Sequence, residues 1–300
     1  MAQRAVKPIS SAPARTAGAL RFAGFDLARP LIMGVVNVTP DSFYDGGYHP
    51  DPASAIAHGR RLMEEGADIL DIGGESTRPG SAAVDAEAEI GRVVPVIEAL
   101  SAAGAVVSVD TRRAAVMRAA SSAGARIVND ITALSGDADS VAAVAETGAS
   151  AVLMHMQGEP ATMQKDPRYV DAPAEIEAYL AGRVAVCRAA GIPADRLAVD
   201  PGIGFGKRPQ HNLELLAELD RFHRLGVAVL IGVSRKSFIG MLSRGEKAPD
   251  RLPGSLAAAL AAIDRGAHIL RVHDVGATLQ ALTIWRAIAD HRRAAGAESD

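Results

Sequence analysis

Short apolar runs recur along the chain, and most of them end on a polar or charged residue that leads into a segment of helical periodicity. LIMGVVN ends on Asn37, and DILDIGGESTR runs out through Thr77 and Arg78. VVSVD ends on Asp110, ARIVND on Asn129 and Asp130, and RLAVD on Asp200; VLIGVSRK reaches Lys236 and HILRVH reaches Arg271 and His273. A parallel strand covered on both faces reads as an unbroken Val/Ile/Leu run. The pattern predicts strands near 31–37, 68–73, 105–110, 126–130, 150–155, 197–200, 228–233 and 268–272. Ala-rich amphipathic helices follow near 52–66, 85–103, 112–124, 137–148, 172–191, 209–225, 254–265 and 276–295. Several of these close on a glycine suited to a left-handed cap: Gly66, Gly104, Gly124, Gly148, Gly191, Gly226 and Gly266.

Eight such alternations favour an α/β fold closed into a (β/α)8 TIM barrel, one domain over 21–295, over an open doubly wound sheet. Periodicity alone does not separate the two. The barrel has the further merit of gathering all the polar strand ends at one mouth. Ahead of the first strand, LRFAGFDL alternates well enough for a short N-terminal β-hairpin that would plug the far end of the barrel. Residues 1–20, rich in Ala, Ser and Pro with no acid, are expected to form a flexible arm, and 296–300 a disordered tail.

Composition narrows the function classes. No run approaches the roughly 18 apolar residues of a membrane span, and a formal net charge of −3 with mixed signs makes no electrostatic case for nucleic acid or membrane. The one cysteine, Cys187, lies in a helix-like stretch and reads as a core residue. An intrachain disulfide is excluded, in keeping with a reducing, cytoplasmic setting. No His/Cys cluster has zinc spacing. Long polar loops at 38–51, 74–85 and after the fifth strand are candidate lids.

Asp110, Asn129 and Asp200 close three apolar runs. Any one of them could cap the helix that follows, as Asp110 could before TRRAAV. Three on separate strands facing one mouth point instead to a ligand. Two carboxylates and an amide suit a flat, donor-rich heterocycle, because a carboxylate accepts two parallel hydrogen bonds from an amino-amidine edge. Arg271 and His273 fall on one side of the last strand by alternation. With Asn37, Thr77 and Arg78 they compose an anion site where barrels commonly hold phosphate. Asn37 could also give its carbonyl oxygen to Mg²⁺, which takes few protein ligands beside substrate phosphates. In GVSRKSFIG, Lys236 is the strongest cation and Ser237 opens a helix start receptive to anions. DPGIGFGK, 200–207, is neither a Walker A loop nor a dinucleotide fingerprint; its glycines let the backbone approach a bound ring.

NVTPDSF (37–43), GGESTRPG (73–80), VSVDT (107–111), ND (129–130), DPGIGFGK (200–207), GVSRKSFIG (232–240) and RVHDV (271–275) resemble, in order and spacing, the motifs of the dihydropteroate synthase family. The resemblance spans about residues 31–295. It implies a pterin-binding (β/α)8 barrel of folate biosynthesis. Such an enzyme condenses 7,8-dihydropterin-6-ylmethyl diphosphate with p-aminobenzoate to give 7,8-dihydropteroate and diphosphate, by a dissociative, SN1-like substitution. By resemblance, Asp110, Asn129, Met154, Asp200, Phe205 and Lys236 hold the pterin. Asn37, Thr77, Arg78, Arg271 and His273 hold the diphosphate, with Mg²⁺ on Asn37. Phe43, Pro79, Lys236 and Ser237 form the p-aminobenzoate site. Asp110, Lys236, Arg271 and His273 carry the catalytic step. The resemblance also implies a homodimer and competition by sulfonamides.

The alternative is a pterin-binding barrel with other chemistry, such as a methyltetrahydrofolate methyltransferase domain, or an inactive pterin-binding paralogue. Both would share the Asp/Asn/Asp floor, but neither needs the ESTRPG loop or the Arg-x-His anion pair that this chain carries.

Overall fold

The computed structural model describes residues 20–38, 52–75 and 84–297, with side chains to residue 291. The arm at 1–19, most of the loops at 38–51 and 74–85, and with them Phe43, Thr77, Arg78 and Pro79, lie outside the described residues, as do 298–300 of the tail.

A two-stranded antiparallel hairpin, β1 (Arg21–Phe22) and β2 (Phe25–Asp26), precedes eight parallel strands. These are β3 (Leu31–Asn37), β4 (Ile69–Gly73), β5 (Val107–Asp110), β6 (Ile127–Asp130), β7 (Ser150–Met154), β8 (Leu197–Asp200), β9 (Ala228–Ile231) and β10 (Ile269–Val272). They close into a barrel in sequential order, with β10 pairing β3. The helices α1 (Pro52–Glu64), α2 (Ala86–Ala102), α3 (Ala114–Ser122), α4 (Ser140–Thr147), α5 (Ala172–Ala189), α6 (Pro209–Ala217), α7 (Ser237–Leu242), α8 (Leu252–Asp264) and α9 (Val275–Ala297) connect them or follow. The closed barrel settles the choice that periodicity left open.

The helix expected over 209–225 breaks after Ala217 and continues as a 3-10 turn, Leu219–Leu225, closed by left-handed Gly226 (φ +68°). The helix start expected at Ser237 is present as the six-residue α7 between β9 and α8, with Lys236 as its extended N-cap.

Period-2 alternation divides the strand residues between two cores. Ile32, Val36, Leu70, Ile72, Val109, Val128, Leu153, Val199, Ile231 and Val272 face the helices. Leu31, Met33, Ile69, Ile127, Val152, Ala198, Leu230 and Ile269 fill the interior together with Phe22, Ala23 and Leu27 of the hairpin segment. The hairpin plugs the N-terminal end: Ala23 N donates to Asp195 O at 3.1 Å, and Arg126 just before β6 donates to Ala23 O at 3.2 Å. Phe22 is fully buried there, and a side chain of that size stabilises by about 1.5–3 kcal/mol on burial.

The same alternation positions the site. Two residues beyond Ile69 stands Asp71; beyond Ile127, Asn129; beyond Val152, Met154; beyond Ala198, Asp200; beyond Ile269, Arg271. The interior is thus apolar at the plugged end and polar at the C-terminal mouth.

Candidate active site

Four side chains from four strands form one hydrogen-bonded set. Arg271 donates from Nε to Asp71 Oδ2 at 2.6 Å and from Nη2 to Asp110 Oδ2 at 2.7 Å. Asn129 Nδ2 donates to the same Asp71 Oδ2 at 3.0 Å. Asp71 is fully buried, and its Oδ1 has no hydrogen-bond partner among the described residues. Sequence reasoning passed over Asp71 because DILDIGG does not end on it; reading the run at period 2 from Ile69 would have found it.

Asp110 does not cap a helix. The N-cap of α3 is Arg113, without a side-chain bond, so the carboxylate is committed to the interior. Burial pushes its carboxyl up, as does the nearby Asp71 charge, while Arg271 works against them. Asn129 and Asp130 separate as neighbours on a strand must. Asn129 joins the interior set, whereas Asp130 Oδ1 and Oδ2 accept from the backbone N–H groups of Thr132 and Leu134, at 2.7 and 3.0 Å, and pin the following turn.

Asp200 Oδ1 accepts from Gly202 N at 2.7 Å. Burial raises its carboxyl; the Gly202 bond and the Lys236 charge oppose that. Lys236 Nζ stands over the Phe205 ring, 4.0 Å from its centroid, a cation–π contact. Burial and the Arg271 charge lower the Lys236 ammonium to about 8, with Asp200 and Asp110 opposing. Met154 is buried at the end of β7 beside Asp200, its register partner.

His273 follows β10 two residues after Arg271, and its imidazole is held neutral. Burial, then the Arg271 and Arg235 charges, lower its imidazole to about 3. Ser234 Oγ accepts from His273 N at 3.2 Å and lies 3.0 Å from His273 Nδ1. The hydroxyl thus holds the ring at Nδ1 and leaves Nε2 as the imidazole's other polar atom. Arg235 is occupied by Asp274, with Nε 3.0 Å from Oδ2. Ser237 is exposed at the first position of α7.

Asn37 ends β3 beside Gly73. A Cβ on Gly73 would stand 3.8 Å from both Asn37 Oδ1 and Asp110 Oδ2, so the glycine keeps space between an amide oxygen and a carboxylate. Among the described residues no three His, Cys, Asp or Glu side chains gather as a metal cluster. One oxygen ligand, with substrate phosphates and water for the rest, is how Mg²⁺ is often bound, and Asn37 fits that use.

The stems of the 76–83 loop are clamped. Arg113 donates to Glu75 at 2.9 and 3.1 Å and to Glu89 at 2.5 Å, and its Nη2 also donates to Val84 O. Arg112 adds bonds to Glu75 at 3.3 and 3.4 Å.

A barrel whose mouth carries this carboxylate, amide and cation set belongs to a defined class of enzyme: the model for pterin-binding enzymes matches residues 33–273. Dihydropteroate synthase of Escherichia coli K12 is 48% identical over 260 residues, covering 86% of this chain and 92% of that one. The chain belongs to the dihydropteroate synthase family. The Xanthomonas albilineans synthase solved with 4-aminobenzoic acid has a TM-score of 0.85 at 51% identity, covering 90% of this chain and 98% of the other. The same organism's synthase with 7,8-dihydropteroate has a TM-score of 0.81 at 49% identity, covering 88% and 95%. The chain is accordingly a transferase of folate biosynthesis with dihydropteroate synthase activity, which sets aside the methyltransferase and inactive-paralogue readings. No helix among the described residues is long and apolar enough to cross a membrane.

Proposed function

We propose that the chain joins p-aminobenzoate to the methylene of a dihydropterin diphosphate with the following division of labour. Asp110, Asn129 and Asp200 accept and orient the amino-amidine edge of the pterin, with Met154, Phe205 and Lys236 enclosing its ring. Arg271 and His273 meet the diphosphate, joined by Thr77 and Arg78. The observation that carries this reading is the single bonded set Asp110–Arg271–Asp71–Asn129, which puts an acceptor surface and a guanidinium at one mouth.

Departure of diphosphate leaves a cation delocalised over the electron-rich pterin. Asp110 and Asp200 stabilise it, and Arg271 stabilises the departing anion. The arylamine attacks the methylene without a strong general base. Mg²⁺ held by the Asn37 oxygen and the substrate's phosphates would neutralise charge on the leaving group. Phe43, Pro79 and Ser237 would line the p-aminobenzoate end beside Lys236, so that sulfonamides compete there. We take 21–295 as one catalytic barrel between the arm and the tail, and the cytoplasm as its setting. A second copy is the expected partner; the exposed Met241 and Leu242 of α7 are apolar surface that such a contact could cover.

The test is to incubate the protein with the dihydropterin diphosphate, Mg²⁺ and p-aminobenzoate, and to follow dihydropteroate and free diphosphate. Stoichiometric appearance of both is expected. Diphosphate without dihydropteroate, or neither product, would overturn the reading.

A further inference from the structure

Lys207 ends DPGIGFGK and is only 3% exposed. Lysine is almost never so buried unless it is paired, yet among the described residues no carboxylate oxygen lies within 4 Å of its ammonium. Its Nζ donates instead to Phe205 O at 2.9 Å and His155 O at 3.3 Å, and lies 3.1 Å from His155 Nδ1. The imidazole is neutral, lowered to about 3 by burial and by the Lys207 charge itself, so its Nδ1 is an acceptor.

Those three acceptors join two segments. His155 follows β7, and Phe205 lies in the 201–207 loop after β8. The loop is pressed flat against the exit of β7: a Cβ on Gly202 would come within 2.0 Å of His155 O, and one on Gly206 within 2.4 Å of Gln157 O. Both glycines have positive φ, +71° and +60°, so other residues are excluded by space and by conformation. Phe205 N donates to Gly202 O at 3.0 Å. With its carbonyl bound by Lys207, Phe205 is fixed at both backbone groups, and its ring lies under Lys236 Nζ. Lys207 also adds to the positive field at Asp200.

We propose that Lys207 is a positioning residue for the pterin half of the reaction: it bolts the 201–207 loop to the exit of β7 and so sets Phe205 and Asp200 against Lys236. The inference rests on the pterin site assigned above. A buried ammonium in this place costs desolvation: burial lowers Lys207 to about 7, with the Asp200 charge opposing. What only the ammonium supplies is simultaneous donation to two carbonyls and an imidazole.

Steady-state kinetics of Lys207→Met and Lys207→Arg, with circular dichroism as a check of folding, test it. Lys207→Met is expected to raise KM for the dihydropterin diphosphate at least tenfold while KM for p-aminobenzoate stays within twofold. Lys207→Arg, which keeps charge and donors, is expected to recover at least half of that loss on a logarithmic scale. Combined with Phe205→Leu, the Lys207→Met loss should be less than additive, because the one residue acts through the other. If Lys207→Met does not fold, Lys207→Gln against Lys207→Arg is read by the same criteria. An equal rise in both KM values, or a lowered folded fraction with KM unchanged, would overturn the inference. Absence of turnover in the unsubstituted protein would overturn the site reading and this inference with it. Normal turnover with an unshifted pterin KM in Lys207→Met would overturn the inference alone.

Discussion

One oxygen of Asp71 is shared by Arg271 and Asn129: Oδ2 accepts from the guanidinium at 2.6 Å and from the amide at 3.0 Å. These two groups serve opposite halves of the proposed chemistry, Asn129 the pterin edge and Arg271 the leaving group. A buried carboxylate that holds both fixes the distance between them. Preorganised groups of this kind need not reorient as charge develops in the transition state.

Asp71→Asn should therefore damage both halves at once. The amide keeps the shape but replaces a charge-assisted bond, and it cannot pair with Arg271 as an ion. A loss of about 2 kcal/mol in transition-state stabilisation is expected, or roughly 30-fold in kcat/KM. Kinetics with either substrate varied would read it, and unchanged kcat/KM would remove Asp71 from any positioning role.

Arg271→Ala separates the phosphate role from a general structural one. It leaves Asp71 buried without its ion pair, so some destabilisation is expected with any ligand. The discriminating quantity is a ratio of affinities, for the dihydropterin diphosphate and for a pterin lacking the diphosphate. By calorimetric titration the first should weaken at least tenfold more than the second. Equal weakening would place Arg271 outside the diphosphate contact.

Arg113→Ala should unfasten the stems of the 76–83 loop. Glu89 is fully buried, and its Oε1 already has no partner among the described residues. Burial raises its carboxyl while Thr111 and Arg113 oppose. Removing one member of a buried ion pair costs about 3–5 kcal/mol. Protonation of Glu89 offsets part of that, so about 3 kcal/mol of stability should be lost, measured by urea denaturation. A loss within 0.5 kcal/mol, about the usual size for a surface change, would show that the clamp carries no weight.

The barrel was legible because its signal is repeated: each strand is a short apolar run, and each helix has a periodic face. The polar mouth was legible where a run ended on, or within two residues of, a side chain that lines it, as at Asp110, Asn129, Asp200 and Arg271. Asp71 escaped because it lies inside a run and not at its end. Lys207 escaped because nothing local distinguishes a buried ammonium from a basic turn; its burial comes from packing of the 201–207 loop on β7, a contact between segments about 50 residues apart. The environment of His273 was not legible for a related reason: burial and the Arg235 charge, which lower its imidazole, and Ser234, which bonds it, come from the segment after β9 about 40 residues earlier.

The buried imidazoles make a pH prediction with a definite sign. His155 and His273 are both lowered from 6.5 to about 3, mainly by burial, with Lys207 acting on the first and Arg271 on the second. Between about pH 6.5 and 3 the unfolded chain binds protons at these positions that the folded chain does not. Stability attributable to them is thus intact above pH 6.5 and falls as pH drops through that window. Each contributes up to about 1.4 kcal/mol per pH unit. Buried carboxyls with raised values, such as Asp200, act in the opposite direction, so the net slope is a mixture and a variant is needed to isolate one imidazole. Asn at 155 places its Oδ1 where Nδ1 now accepts from Lys207 and has no proton to take up. Urea denaturation of His155→Asn and the unsubstituted protein at pH 7.5, 6.0 and 5.0 should show the variant losing less stability on acidification, by about 1–2 kcal/mol at pH 5.0. Parallel slopes would mean that His155 titrates alike in the folded and unfolded chains, and that the ammonium beside it is not holding the ring neutral.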